Sequence, residues 1–185
     1  MSTVERTLAR VELTDGRVRL RSPQPTDLAE VVEASQDSEA VRWTTVPQPY
    51  GPAEAEAFLS TIEDGWTSGR SAIFVITTAE HGDRYCGAID LRLDDDQGGE
   101  VGFAVAPWAR GAGVCTDALR LICRWGFDTL GLGRIEWLAH IGNDASRRVA
   151  EKVGFTYEGV LRSKCLQRGT RHDAWVAGLL PDELR

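Results

Sequence analysis

The sequence predicts a single α/β (α+β) domain in which helices pack on the faces of a mixed, mostly antiparallel sheet. Two patterns predict this class: several short segments alternate apolar and polar residues, as strands do, and the segments between them repeat apolar residues with the period of a helix. Length is the third observation, because 185 residues suffice for one sizeable core but are few for two. We therefore expect one domain over residues 1–185.

The first half of the chain predicts a hairpin, two helices and two strands. Leu8–Leu13 and Arg17–Arg21 flank the dipeptide Asp15-Gly16, which favours a tight hairpin turn. Thr26 is a candidate N-cap for the first helix, and Pro52 opens the second. The other predicted elements are the strands Ala72–Ile76 and Cys86–Leu93 and, between the helices, the aromatic and Pro-rich connection Trp43–Tyr50.

The second half continues the alternation of strands and helices. A strand at Glu100–Ala106 leads into a helix whose apolar positions follow the 3.6-residue period, and Gly131 ends that helix. A short helix over Ala145–Val153 is followed by Gly154, where a left-handed C-cap is expected. The remaining predicted strands are Ile135–Ile141, Phe155–Leu166 and Ala174–Leu180.

Composition and charge argue against several classes of function. The formal charge of −7 disfavours a nucleic-acid-binding surface, which needs clustered Lys and Arg, and fits an amine-bearing partner better. No window reaches the run of about 18 apolar residues that spans a membrane. The four cysteines lack the close spacing of a zinc or redox site, and the start of the chain lacks the apolar stretch of a secretory signal. We therefore expect a cytoplasmic protein with reduced thiols, no metal and no membrane partner.

The stretch Val105–Thr116 carries the most informative chemical pattern. A strand runs into the small residues Gly111-Ala112-Gly113, which open a helix, so several backbone N–H groups would point outwards at a helix N-terminus. That arrangement suits a pyrophosphate, and Arg110 and the Thr116 hydroxyl are candidate further donors. A tight strand-to-helix connection explains the same glycines. The absence of GxxxxGK[ST] and GxGxxG patterns argues against nucleotide hydrolysis and hydride transfer.

A second pattern follows at the next helix, where Asn143-Asp-Ala-Ser146 precedes Lys152-Val-Gly-Phe155. In this order and at this separation, the two patterns resemble the GNAT superfamily of acyl-CoA N-acyltransferases. The strand Glu100–Phe103, the segment Glu158–Arg162 and the late Asp173 resemble its RimJ/RimL branch of ribosomal-protein N-terminal acetyltransferases. The resemblance covers residues 17–180 and is strongest over residues 100–162.

The resemblance implies a seven-stranded sheet whose fourth and fifth strands, here Glu100–Ala106 and Ile135–Ile141, splay apart to admit the pantetheine arm of acetyl-CoA. Free backbone groups at the split would bind this arm and hold the thioester carbonyl as the tetrahedral intermediate forms. Acetyl-CoA is then the acyl donor, and no metal takes part. The implied cofactor-binding residues are Phe103, Ala104, Val105, Arg110, Gly111, Ala112, Gly113, Val114, Cys115, Thr116, Asn143, Ser146 and Arg148.

Several residues are candidates for proton transfer. Many superfamily members have a Tyr as general acid where this chain has Ala150, which leaves Ser146, as in the RimJ/RimL branch, or Tyr157 as the donor to the departing thiolate. Glu100 is the first candidate for accepting the proton of the amine, although an exposed strand-end carboxylate explains it equally well. His140 is a second candidate base.

Cys115 stands where the family motif usually has Gly or Ala. A thiol in the first turn of a helix can be a nucleophile, because its pKa can be depressed there. In the implied pose, however, Cys115 meets the pyrophosphate, far along the cofactor from the thioester. Direct attack by the acceptor amine is therefore the preferred route.

The sequence thus predicts an acetyl-CoA-dependent N-acetyltransferase that acts directly on a primary amine, as a monomer or homodimer. A protein or peptide N-terminus is the preferred acceptor: an α-amine of pKa near 8 is about one-tenth neutral at pH 7, whereas a Lys amine is neutral only about once in a few thousand. Trp43, Tyr50 and Glu100 are the candidate acceptor-binding residues. A small-molecule amine of the antibiotic type and a non-catalytic acyl-CoA-binding module are the alternatives.

Overall fold

Eight strands form one open sheet in the computed structural model, which describes residues 8–185. Residues 1–7, where the sequence predicts no secretory signal, lie outside the described residues. In chain order the strands are β1 (Leu13–Thr14), β2 (Val18–Arg21), β3 (Ser71–Thr78), β4 (Gly87–Leu93), β5 (Gly98–Val105), β6 (Arg134–His140), β7 (Thr156–Gln167) and β8 (Thr170–Leu179). Their order across the sheet is β1-β2-β3-β4-β5-β6-β8-β7. Neighbouring strands are antiparallel except β5 and β6, which are parallel.

Helices flank the sheet and connect its strands. Within residues 8–185 they are α1 (Leu28–Ser35), α2 (Ser38–Trp43), α3 (Pro52–Thr67), α4 (Val114–Asp128) and α5 (Asp144–Val153). The side chain of Asn143 caps the start of α5. Gly154 caps its end, with a φ of 118°, the left-handed conformation predicted for that residue. None of the helices in the described part of the chain combines the length and apolar character needed to span a bilayer.

The core lies on both faces of the sheet. Ile89 and Leu91 of β4 are buried on one face, in a cluster that includes α4. Val75 of β3 is buried on the other face, with residues of α1 and α3. Successive strand residues point to opposite faces, so Asp90 and Arg92 of β4 lie on the second face, beneath α1, α2 and α3.

The predicted strands and helices are present with shifted ends, and the structure adds the helix α2. Counting strands of four residues or more, the sheet has the implied seven, and the two-residue β1 makes an eighth. Of the predicted strand Leu8–Leu13, only its last residue pairs, because β1 contacts β2 only beside the Asp15-Gly16 turn. Helix α2 was not predicted: its six residues carry no apolar stripe, and it begins where Asp37 accepts hydrogen bonds from two backbone N–H groups. The N-cap of α1 is Asp27 rather than Thr26.

Strands β5 and β6 separate in the way that the family resemblance implied. Their parallel pairing runs from Gly98 opposite Arg134 to Val101 opposite Trp137 and stops there. Strand β5 nevertheless continues to Val105, still paired with β4, and β6 continues to His140, still paired with β8. The facing edges of the two strands beyond Val101 and Trp137 therefore have no strand partner within residues 8–185. A wedge-shaped gap opens in the middle of the sheet.

Candidate active site

A cleft of about 770 Å³ opens at this gap. Its walls come from β4, β5, β6, the region from α1 to α3, the start of α5 and part of β7. The residues that line it include Trp43, Tyr50, Asp90, Arg92, Glu100, Phe103, Ala104, Val105, Trp137, His140, Asn143, Ser146, Lys164 and Cys165. The structure thus brings the predicted acceptor residues, the parted strands and the start of α5 together in one cavity.

The loop before α4 has the backbone geometry of an anion site. Gly111 and Gly113 adopt φ values of 81° and 79°, a conformation that side chains other than glycine rarely take. Gly113 is the N-cap of α4 and provides no side-chain acceptor for the first-turn N–H groups. Gly111, Ala112 and Gly113 are all exposed. The positive end of a 15-residue helix is therefore accessible beside the cleft.

The other residues of this loop have structural partners. The Arg110 guanidinium binds the Asp37 carboxylate at 2.6 Å and the Val105 carbonyl at 3.2 Å, which links α2 to the end of β5. Thr116 is buried, so its hydroxyl is not at the exposed face of the loop. Burial raises the pKa of the Cys115 thiol to about 12. Cys115 is therefore a neutral thiol at pH 7, which agrees with the preference for direct attack.

At the start of α5, two hydrogen bonds fix Ser146. Its backbone N–H donates to Asn143 Oδ1 at 3.2 Å, and its Oγ accepts from the indole N–H of the buried Trp137 at 3.1 Å. Because the hydroxyl oxygen acts as acceptor to Trp137, its own proton is free to be donated into the cleft. Arg148 lies two residues further on; it is exposed and has no ion-pair partner among residues 8–185. It is available for an anion on the outer side of the helix.

Three charged side chains meet where β4 and β5 pair beside the cleft. Arg92 bridges two carboxylates, with Nη1 at 2.8 Å from Asp90 Oδ2 and Nη2 at 2.5 Å from Glu100 Oε1. Asp90 is the less exposed carboxylate, at 21% of its side chain against 37% for Glu100. Burial, opposed by Arg92 and reinforced by the charge of Glu100, raises the pKa of Asp90 to about 6.

Asp90 and Arg92 are the residues that the sequence reasoning missed. The alternation over Cys86–Leu93 correctly predicted a strand, but it left open which face would meet Glu100. Polar residues two positions apart in an otherwise apolar strand were the available signal. Only the pairing of β4 with β5 shows that they point to the cleft.

The opposite wall of the cleft is aromatic. Trp43 contacts His140 edge-on, with ring centroids 6.5 Å apart, and donates its indole N–H to Glu39 at 2.8 Å. His140 stacks on His172 at 4.9 Å, and burial, together with the neighbouring His172 and Arg168, lowers the pKa of His140. Its lone pair is therefore available at pH 7, as a base would require. Tyr50 is buried, with only its cleft-facing surface open.

The tip of the β7–β8 hairpin holds this wall in place. The side-chain amide of Gln167 donates to the backbone carbonyls of Thr44 at 2.6 Å and Arg42 at 3.0 Å. Arg168 donates to the carbonyls of Val41 and Val46. These bonds tie the connection after α2 to the far edge of the sheet, so the cleft is bounded on that side.

Tyr157 stands apart from the other predicted site residues. It is 42% exposed on the edge strand β7, where the Arg147 guanidinium lies 4.7 Å from its ring centroid. It is not among the residues that line the cleft. The geometry therefore places Ser146, and not Tyr157, beside the gap. Among residues 8–185, no group of three or more His, Cys, Asp or Glu side chains is arranged to hold a metal ion.

A family model and a relative of known name indicate the same family of proteins. The model of the GNAT acetyltransferase domain matches residues 17–156. A Bacillus subtilis protein named "Putative ribosomal N-acetyltransferase YdaF" is 31% identical over 173 residues, which cover 90% of this chain and 91% of that protein.

Two solved structures share the fold. One is a Vibrio cholerae protein described as a "putative ribosomal-protein-serine acetyltransferase", with a TM-score of 0.83 and 19% identity over 92% of this chain and 98% of that one. The other is Mycobacterium smegmatis RimJ in complex with CoA-disulfide, with a TM-score of 0.80 and 22% identity over 98% of this chain and 90% of that one.

Proposed function

The chain belongs to the GNAT family of acetyltransferases, and from that premise we propose that it transfers the acetyl group of acetyl-CoA to the α-amine at the N-terminus of a protein or peptide. The observation that carries this proposal is the gap between β5 and β6, which lies beside an uncapped helix N-terminus. A thioester arm and a pyrophosphate need these two features next to each other.

The donor would lie along residues from both sides of the gap. The pyrophosphate would bind the N–H groups of residues 111–116, with Arg148 near the nucleotide. The arm would bind the unpaired edge of β5 at Phe103, Ala104 and Val105, and Asn143 would hold the start of α5 against it. Because the backbone there is fixed by β4, its N–H groups are already in place for the oxygen of the tetrahedral intermediate.

The reaction would proceed by direct attack of the amine. The amine nitrogen bonds to the thioester carbonyl carbon, the carbon–sulfur bond breaks, and the thiolate takes a proton from Ser146. One proton leaves the ammonium before attack, and a second leaves the nitrogen afterwards and replaces the proton that Ser146 gave to the thiolate. A carboxylate beside the gap, Glu100 or Asp90, is needed for the first of these.

Two arguments favour an N-terminal acceptor. An α-amine needs little help to lose its proton at pH 7, whereas a Lys side chain would need a much stronger base than a carboxylate. The Bacillus subtilis relative is named as a ribosomal N-acetyltransferase, which suggests a protein acceptor. Trp43 and Tyr50 would pack against the first residues of that chain. The carboxylates in the cleft also suit a compact cationic small molecule, which is the second candidate acceptor.

An acceptor screen tests this proposal. We expect short peptides with a free N-terminus to be acetylated, and the same peptides blocked at the α-amine but retaining Lys to remain unmodified. Mass spectrometry with acetyl-CoA as donor identifies the modified amine. Comparable turnover of the blocked peptides, or activity confined to polyamine-like small molecules, would contradict an N-terminal acceptor and leave amine acetylation in place.

A further inference from the structure

We propose that Asp90 is the catalytic base that accepts the first proton of the acceptor ammonium, while Arg92, which also binds Glu100, holds its carboxylate in position. The inference rests on amine acetylation as the proposed function. It assigns to Asp90 the step for which sequence reasoning favoured Glu100.

The position of Asp90 in the sheet is the first argument. Asp90 pairs with Gly102, and Gly102 is the first residue of β5 beyond the last β5–β6 pair. Asp90 is therefore level with the point where the gap opens. A Cβ at Gly102 would lie 2.6 Å from Asp90 Oδ1, so the carboxylate rests directly over the bare backbone of this glycine. Any other residue at 102 would displace it.

The partners of the carboxylate are the second argument. Oδ2 of Asp90 is engaged by Arg92, whereas Oδ1 has no hydrogen-bond donor within residues 8–185. One guanidinium serves both Asp90 and Glu100, so the three groups together carry one net negative charge. An ammonium at Oδ1 would balance that charge. Glu100 is the more exposed of the two carboxylates and is held by Arg92 at 2.5 Å.

The basicity of Asp90 supports this role. A carboxylate with a pKa of about 4 lies about four units below an α-ammonium, whereas the pKa of about 6 for Asp90 reduces the mismatch to about two units. Proton transfer from the amine is thereby less uphill by a factor of about 100. Asp90 is still ionised above pH 6, as a base must be. The other titratable or charged groups that line the cleft are Tyr50, Tyr85, Arg92, Glu100, His140, Lys164 and Cys165.

The proton balance of the step is simple. The ammonium passes one proton to Asp90 Oδ1 and becomes a neutral amine, whose lone pair attacks the thioester. After attack the nitrogen loses a second proton, which reaches the departing sulfur through Ser146, so the products are the amide and CoA thiol. The proton on Asp90 returns to solvent before the next turnover. No oxidant, reductant or further reactant is needed.

Asp90→Asn tests the assignment, because it keeps the shape of the side chain and removes its basicity. We expect kcat/KM for an acceptor that the wild type uses to fall by about 10²- to 10⁴-fold. The wild-type profile should rise with pH through about 6 as Asp90 ionises, and this acid limb should be missing from the variant. Glu100→Gln is the matched control. Since the charge of Glu100 raises the pKa of Asp90, its removal should move the acid limb to lower pH without abolishing it.

A second readout separates a base from a structural residue. A peptide hydrazide that is blocked at its α-amine offers a nitrogen that is already neutral at pH 7, so the defect of Asp90→Asn should shrink to less than about tenfold with this acceptor. If Asp90→Asn fails to fold, Gly102→Ala serves instead, since its Cβ displaces the carboxylate, and the same rescue is expected. Full activity of Asp90→Asn with its acid limb intact, or an equal loss with amine and hydrazide, would overturn the assignment. A wild type that acetylates no amine would instead overturn the proposed function.

Discussion

Replacing Ser146 by alanine is expected to lower kcat by about 10²- to 10⁴-fold, with little change in the affinity for acetyl-CoA. The hydroxyl lies at the start of α5 beside the gap, and its oxygen accepts the Trp137 indole N–H at 3.1 Å. That bond orients the hydroxyl and, in the proposed mechanism, leaves its proton for the thiolate. Without the Ser146 hydroxyl, the CoA thiolate would have no positioned acid. Steady-state kinetics with calorimetry of acetyl-CoA binding measures both quantities.

Tyr157→Phe is the matched control, because it removes the other hydroxyl that the sequence offers. We expect it to keep the wild-type kcat, since Tyr157 lies outside the cleft on β7. Thermal unfolding should accompany the Ser146→Ala measurement, because the buried Trp137 N–H loses its acceptor at a cost of about 1–3 kcal/mol. An unchanged kcat in Ser146→Ala with an impaired Tyr157→Phe would transfer the role to Tyr157. Full rates in both variants would mean that water or the bound amine protonates the sulfur.

Gly113→Val is expected to weaken acetyl-CoA binding by about ten- to a hundred-fold. If the pyrophosphate binds the first-turn N–H groups of α4 as proposed, the valine side chain would obstruct it, and losing charge-assisted hydrogen bonds costs about 1.5–3 kcal/mol. Gly113 has a φ of 79°, so valine also strains the backbone by about 1–2 kcal/mol. The variant will therefore be less stable as well as weaker in binding, and the two effects must be separated.

The variant Gly131→Val separates the loss of stability from the loss of affinity for acetyl-CoA. Gly131 has a φ of 70° and nothing within 4 Å of an added Cβ, so it carries a similar strain at the other end of α4. We expect both variants to lose similar stability, and only Gly113→Val to lose affinity for acetyl-CoA in calorimetry. Equal affinities in Gly113→Val and the wild type would remove the phosphate role from the loop.

Much of the fold was predictable because its elements carry strong local signals. Helix α4 has a regular apolar stripe, and Gly154 marks the end of α5, so both appear where the sequence places them. Helix α2 is different. Besides the local Asp37 cap, its six residues are held by the Arg110–Asp37 ion pair and by the hairpin tip, and these two are contacts between segments distant in the sequence. Local periodicity cannot report such contacts.

The residues of the candidate site also differ in whether the sequence alone could identify them. The glycine-containing loop before α4 and the Asn143–Ser146 turn are continuous motifs, so their residues could be named from the sequence, and Asn143 and Ser146 line the cleft in the structure. Asp90 is a site candidate only through tertiary structure: its role depends on pairing with Gly102, on sharing Arg92 with Glu100 and on burial that raises its pKa. Each of these depends on the register of β4 against β5.

In the proposed mechanism, the gap between β5 and β6 receives the thioester arm of acetyl-CoA. A crystal structure with acetyl-CoA bound tests this proposal. We expect the pantetheine to pass between the strands beyond Val101 and Trp137, the pyrophosphate to lie against residues 111–116, and the acetyl group to lie within reach of Ser146. A donor bound elsewhere, with β5 and β6 empty between them, would contradict the claim.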